Sequence, residues 1–123
     1  LDALTCNYDR HLNNIQFLVD SETFEIIDLA PVFDNGMGLC SHCKNETVEA
    51  FIEYGNDHVP FAYYSFDDYI PQLMSKDMYN RINRIKNFSF ANHKDYPVSD
   101  ERLIALNGFI HNRINRLLEL YNR

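Results

Sequence analysis

The chain has 123 residues, enough to bury one real core and too few for two domains of ordinary size. Apolar side chains make up 46% and aromatics 14%, which excludes a disordered segment, while a formal net charge of −7 argues against direct nucleic-acid binding, which needs a clustered positive face. No apolar run approaches the roughly 20 residues that cross a bilayer, no secretory leader is recognisable, and three cysteines fit a reducing cytoplasm better than a disulfide framework.

Leu1 to Cys6 reads as the tail of a helix, and Asn7 to Asn14 as a polar, aperiodic loop. Ile15, Phe17 and Val19, then Phe24, Ile26 and Asp28, keep a period of two around the polar turn Asp20–Thr23, the pattern of a hairpin. Asp34-Asn35-Gly36, entered through Ala30-Pro31, forms a second turn or loop. Gly38 to Asn56 carries a poor signal, with a short helix expected over Thr47–Tyr54 that buries Val48, Phe51 and Ile52. Asn56 to Tyr64 is loop-like and aromatic. Ser65 offers a cap to a helix Phe66–Leu73, with Asp67 and Asp68 at its positive end and Pro71 limiting or kinking it.

Ser75 caps a further helix with Met78, Ile82 and Ile85 on one face. Ser99 caps the last, where Leu103, Leu106, Ile110, Ile114, Leu117 and Tyr121 form a stripe at steps of three and four. Arg81, Arg84, Lys86, Arg113, Arg116 and Arg123 alternate with apolar positions and read as solvated helix faces. The order gives a mostly α (α+β) fold: a small N-terminal hairpin followed by helices.

The chemistry concentrates near the start. Asp9 is followed five residues later by Asn14, and the hairpin separates Asn14 from Asp34. Phosphoryl transfer from a nucleotide needs positioned metal ions and a carboxylate that orients the attacking hydroxyl and takes its proton. Asp9, on a loop, suits the base; Asn14 and Asp34 offer the hard oxygen donors that Mg²⁺ prefers. Folding back through the hairpin lets residues twenty apart face one metal. Each residue also has a purely structural use: Asp9 as a turn cap, Asn14 as a partner for backbone groups, Asp34-Asn35-Gly36 as a turn sequence.

Protein kinases carry Asp, four residues and Asn, then Asp-Phe-Gly. This chain has Asp9-Arg10-His11 in place of His-Arg-Asp. Asn7-Tyr8-Asp9-Arg10-His11 through Asn14, with Leu29-Ala30-Pro31-Val32-Phe33-Asp34-Asn35-Gly36, resembles the two metal-site motifs of the HipA-like serine/threonine kinases, and more distantly those of phosphoinositide kinases. The resemblance covers residues 1 to 39. It implies the helical C-terminal lobe of a protein-kinase-like fold, with the hairpin carrying the metal site. It also implies Asp9 as catalytic base, Asn14 and Asp34 as Mg²⁺ ligands and nucleotide contacts, and Arg10 and His11 bracing the loop. ATP and a protein hydroxyl would be the substrates, in a bacterial, cytoplasmic toxin–antitoxin setting with an antitoxin-type partner.

Such a fold holds ATP between two lobes, yet the four glycines (Gly36, Gly38, Gly55 and Gly108) form no Gly-rich loop. With no Met at Leu1, the expectation is a catalytic-lobe fragment that lacks the ATP-covering lobe, is inactive alone and self-associates through uncovered apolar surface. A small-molecule or lipid kinase, or a non-catalytic helical interaction module, is the alternative.

Three further features have plainer readings. Cys40-Ser41-His42-Cys43 has the spacing of a zinc half-site without a second pair, which leaves a flexible stretch after Asp34. Phe61, Tyr63, Tyr64, Phe66 and Tyr69 read as packed core beneath a loop rather than a partner surface. Cys6 reads as a buried, inert thiol, and His111 as a satisfied boundary residue.

Overall fold

Residues 1–60 and 65–122, described in a computed structural model of the chain, form five helices and one hairpin. In chain order these are α1 (Asp2–Thr5), a 3-10 turn (Leu12–Asn14), β1 (Phe17–Val19), β2 (Ile26–Leu29), α2 (Val48–Asp57), α3 (Phe66–Leu73), α4 (Lys76–Arg84) and α5 (Asp100–Tyr121). The fold is mixed and mostly helical, and none of these helices is long and apolar enough to cross a membrane. Phe61, Tyr63, Tyr64 and Arg123 lie outside the described residues.

Hydroxyl caps set the helix starts. Thr47, Ser65, Ser75 and Ser99 each accept a hydrogen bond from the amide three residues on, at Ala50, Asp68, Met78 and Arg102, each cap contributing about 1 kcal/mol. Ser65 and Ser99 precede first-turn acids (Asp67 and Asp68; Asp100 and Glu101) that complement the positive helix end. α2 continues past Tyr54 to Asp57, so Asn56 and Asp57 are helical rather than loop.

α5 is the spine on which α1, α2, α3 and α4 all pack. Phe51, Phe109, Ile114 and Leu117 are fully buried. The buried face of α5 is broader than the expected stripe. Ile110, Ile114 and Leu117 lie in it, Leu103, Leu106 and Tyr121 are half-buried at its margin, and Ala105, Phe109 and Leu120 complete it. Two glycines explain the shift. A Cβ on Gly108 would meet Val48 Cγ1 at 2.5 Å, and one on Gly55 would meet Phe109 Cε2 at 2.7 Å. α2 therefore lies close against α5 and covers a flank that hydrophobicity alone does not mark. Of the other expected burials, Val48 and Ile52 are half-buried, and Met78 and Ile85 stay exposed.

Arg81, Arg84 and Lys86 are exposed as expected of a solvated basic face, but Arg113 departs from that reading. It is 3% exposed, and its Nε and Nη2 donate to the Ala3 carbonyl at 3.1 and 2.9 Å. Its Nη1 reaches Asp67 Oδ1 at 3.4 Å, and Arg116 donates to Asp67 Oδ2 at 2.8 Å. One guanidinium thus ties α1 and α3 to α5.

The hairpin is antiparallel, pairing Phe17 with Leu29, Leu18 with Asp28 and Val19 with Ile26 across an irregularity after Leu18. Among the described residues its strands pack on each other and on none of the helices. Phe17, Val19, Ile26 and Leu29, which pair across one face, are all exposed.

The α2–α5 approach yields a test. Gly→Ala inside a helix gains about 1 kcal/mol in propensity, but overpacking costs about 1–3 kcal/mol. With Val48 branched at Cβ and unable to swing aside, the clash wins. Gly108→Ala is expected to lower the melting temperature by roughly 4–8 °C per kcal/mol of net loss; an unchanged or raised value contradicts the close approach.

Candidate active site

The loop that bears Asp9 is fixed from behind. α1 ends at Cys6, whose φ of 50° turns the chain sharply and lets the Asn7 amide bond the Asp2 carbonyl at 3.0 Å. Cys6 is buried, as expected, and burial pushes its thiol pKa up, with Arg113 opposing and Asp67 adding. The bend places the Asn7 carboxamide, 0% exposed, between two loops. Its Oδ1 accepts from the Asp9 amide at 3.3 Å and its Nδ2 donates to the Asp34 carbonyl at 3.4 Å. From the other side, Asn14 Nδ2 donates to the Asp9 carbonyl at 3.1 Å. Two carboxamides therefore grip the two ends of the Asp9 residue.

Arg10 braces the same region. Its Nε and Nη2 meet the two Asp2 carboxylate oxygens at 3.0 and 2.9 Å, the paired geometry that suits guanidinium and carboxylate. Its Nη1 donates to the Phe33 carbonyl, and its Nη2 also donates to Asn35 Oδ1 at 2.6 Å. α1, the Asp9 loop and the Asp34 loop are joined through this side chain. His11 takes part through its backbone carbonyl, which accepts from the Asn14 amide at 2.9 Å; its ring bonds no described residue. Tyr8 anchors the loop to α2, with its hydroxyl 3.4 Å from that of Tyr54 and its ring 4.5 Å from that of His58.

What this scaffold leaves free decides its chemistry. Asp9 and Asp34 are exposed, and neither carboxylate makes a hydrogen bond or ion pair with a described residue. Asp34 sits at φ 55°, a conformation Asp and Asn tolerate better than most residues. Asn14 is buried, with its Nδ2 engaged and its Oδ1 bonded to no described residue; since no buried side-chain atom lacks a partner, that oxygen opens to solvent. Asn14 thus fills the structural use named for it and still offers an oxygen. Two carboxylates and one carboxamide oxygen are a hard donor set that suits Mg²⁺. Among the described residues, those of this site included, no three His, Cys, Asp or Glu side chains gather as a metal-holding group, so a cation here would lean on the Asn14 oxygen beside the two carboxylates.

The segment after Asp34 is packed rather than flexible. Cys40 and Cys43 are buried, with their thiols against the Phe51 carbonyl at 3.2 Å and the Asn45 carbonyl at 3.4 Å. Arg102 clasps the carbonyls of Cys40 and Cys43 at 3.3 and 3.4 Å and pairs with Glu46 at 3.2 Å. Ser99 also donates to Glu46, at 2.7 Å. His111 bonds the Phe88 carbonyl at 2.7 Å.

No protein-family model matches the chain, and no curated protein or solved structure matches it either. The residues that sequence reasoning left without a role are Asn7 and Asp2. The only signal for Asn7 was its place at the head of the motif; Asp2 carried none.

Burial pushes the Cys40 thiol from an ordinary 9.0 up to about 12, with the neighbouring Cys6 and Cys43 adding and Arg102 opposing. A raised folded-state value gives stability that is complete below pH 9 and lost as pH rises through about 12. Stability is therefore expected to fall across that window. Iodoacetamide at pH 8 should leave all three cysteines unlabelled in the native chain and label them in denaturant. Native labelling of Cys40 at the rate of a free thiol contradicts this packing.

Proposed function

We propose that the chain provides the catalytic and metal-holding residues of an ATP-dependent serine/threonine kinase of the HipA-like kind, its helices forming the C-terminal lobe of a protein-kinase-like fold. The supporting observation is the set of three unpartnered oxygen groups, on Asp9, Asn14 and Asp34, held on two loops that Asn7 and Arg10 tie together. Asp9 orients the attacking hydroxyl of a protein Ser or Thr and accepts its proton at a carboxylate oxygen. Asn14 Oδ1 and the Asp34 carboxylate would hold Mg²⁺, which would supply charge neutralisation for the phosphate oxygens. Arg10, with four hydrogen bonds to Asp2, Phe33 and Asn35, keeps the two loops in register and takes no part in the transfer. By the same resemblance, an antitoxin-type partner controls the enzyme.

These residues form the carboxylate side of a nucleotide site. Gly55 and Gly108 are packed between helices and Gly38 lies against Thr5, so the glycines do not build a loop over phosphates. The 123 residues alone are expected to turn over no ATP. In a protein that also carries a nucleotide-covering segment, Asp9→Asn and Asp34→Asn should each lower Mg²⁺-dependent phosphorylation of protein by about 10²–10⁴-fold. Phosphorylation that survives both changes overturns the assignment.

The exposed face of Phe17, Val19, Ile26 and Leu29 supports the self-association expected of the isolated chain, since contiguous apolar patches tend to find partners. Light scattering should report a species larger than 14.5 kDa that shrinks on Phe17→Ser; a clean monomer before the change contradicts it.

A further inference from the structure

The candidate site contains a buried polar residue to which the kinase reading gives no task. Asn7 is 0% exposed, and a carboxamide with both ends buried is tolerated only where both ends find partners. Here the partners belong to different loops: the Asp9 amide at 3.3 Å and the Asp34 carbonyl at 3.4 Å. Its own backbone amide is held by Asp2 at 3.0 Å. The hairpin, which supplies the covalent path between the two loops, packs on no helix among the described residues. The relative placement of Asp9 and Asp34 therefore rests on through-space contacts, and among the described residues Asn7 is the one side chain that bonds the backbone of both.

We infer that Asn7 is a positioning residue that sets the spacing between the Asp9 and Asp34 loops, and with it the affinity of the candidate site for a divalent cation. The inference rests on the assignment of Asn14 and Asp34 as cation ligands. Arg10 acts differently: it reaches the neighbours Phe33 and Asn35 and orients the Asp34 loop, whereas Asn7 holds Asp34 itself.

The probe is Mn²⁺ alone, added substoichiometrically to the ¹⁵N-labelled chain, with paramagnetic broadening of the Asp9, Asn14 and Asp34 amide signals followed at constant pH. The unsubstituted chain should broaden at all three amides. Asn7→Ser should weaken Mn²⁺ binding about 10–100-fold, as loss of a supporting hydrogen bond does at metal sites. Ile114→Val, which loosens the core, should lower the melting temperature and leave Mn²⁺ binding unchanged. Full Mn²⁺ affinity in folded Asn7→Ser overturns the role of Asn7, as does an equal loss of Mn²⁺ binding in Ile114→Val. Absence of broadening in the unsubstituted chain, or its persistence in Asp34→Asn, overturns the site assignment as well.

Discussion

The guanidinium of Arg113 is the joint on which the remaining geometry depends. It is a charge within the longest helix, nearly inaccessible to water, and it is tolerated because each of its three nitrogens has a partner. Two of its bonds end on the Ala3 carbonyl, and the third on the Asp67 carboxylate. A buried ion pair of this kind is weak evidence for net stability, but removing one partner strands the other at a cost of about 3–5 kcal/mol. Its role is to specify an arrangement. α1 spans only Asp2–Thr5, far too short to persist by helix propensity, and it survives because α5 and α3 hold it. The Asp9 loop leaves directly from α1, so the site inherits its position from a contact 110 residues away in sequence.

From that joint outward, rigidity is divided unevenly. Asn7, Asn14, Asp2 and Arg10 spend their polar groups on the backbones of the Asp9 and Asp34 loops or on each other. The carboxylates of Asp9 and Asp34, on which the proposed chemistry rests, bond no described residue. This inverts the usual pattern of a structural acid, which finds a cap, a cation or a backbone amide. Asp20 shows that ordinary behaviour a few residues away: the Thr23 and Glu22 amides bond its carboxylate and draw its pKa down. A fold that fixes the peptide of Asp9 from both ends while leaving its carboxylate free has the preorganisation a catalytic base requires. The Asp2 hydrogen bond raises the Arg10 pKa, burial opposes it, and the nearby Asp2 and Asp34 charges add to the rise, so Asp34 feels a positive neighbour without being bonded to it.

Features set within a few residues were legible in the sequence; those set across the fold were not. The caps at Ser65, Ser75 and Ser99 depend on neighbours three positions away, and the structure places them as expected. The hairpin also forms, but Ile15 and Phe24 lie outside its strands, and the irregularity after Leu18 sets Ile26 opposite Val19 and Asp28 opposite Leu18, which breaks the expected period. Arg113 resembles any basic residue on an amphipathic helix, and only the Ala3 carbonyl and Asp67 make it a core residue. Cys40 and Cys43 have a ligand's spacing, but α2 and Arg102 draw them into the interior, a contact that depends on Gly108 admitting Val48. The site divides in the same way: Asp9, Asn14 and Asp34 were named from spacing, while the partners of Asn7 lie partly 27 residues away and leave no periodic trace.

The hairpin shows how this division bears on function. Its outward positions are Phe17, Val19, Ile26 and Leu29, residues that strand propensity favours and water does not. A free-standing two-stranded hairpin is marginal in water, and this one has no helix to lean on. Its covalent ends, Asn14 and the Leu29–Asp34 approach, are nevertheless pinned, by Asn14 Nδ2 on Asp9, by the Ala30 amide on the Gln16 carbonyl at 2.8 Å, and by Arg10 on Phe33. The base of the hairpin is fixed where the site needs it, and the apolar blade beyond is uncovered. Asn14 and the approach to Asp34 are held at that root, while the apolar blade meets no helix among the described residues.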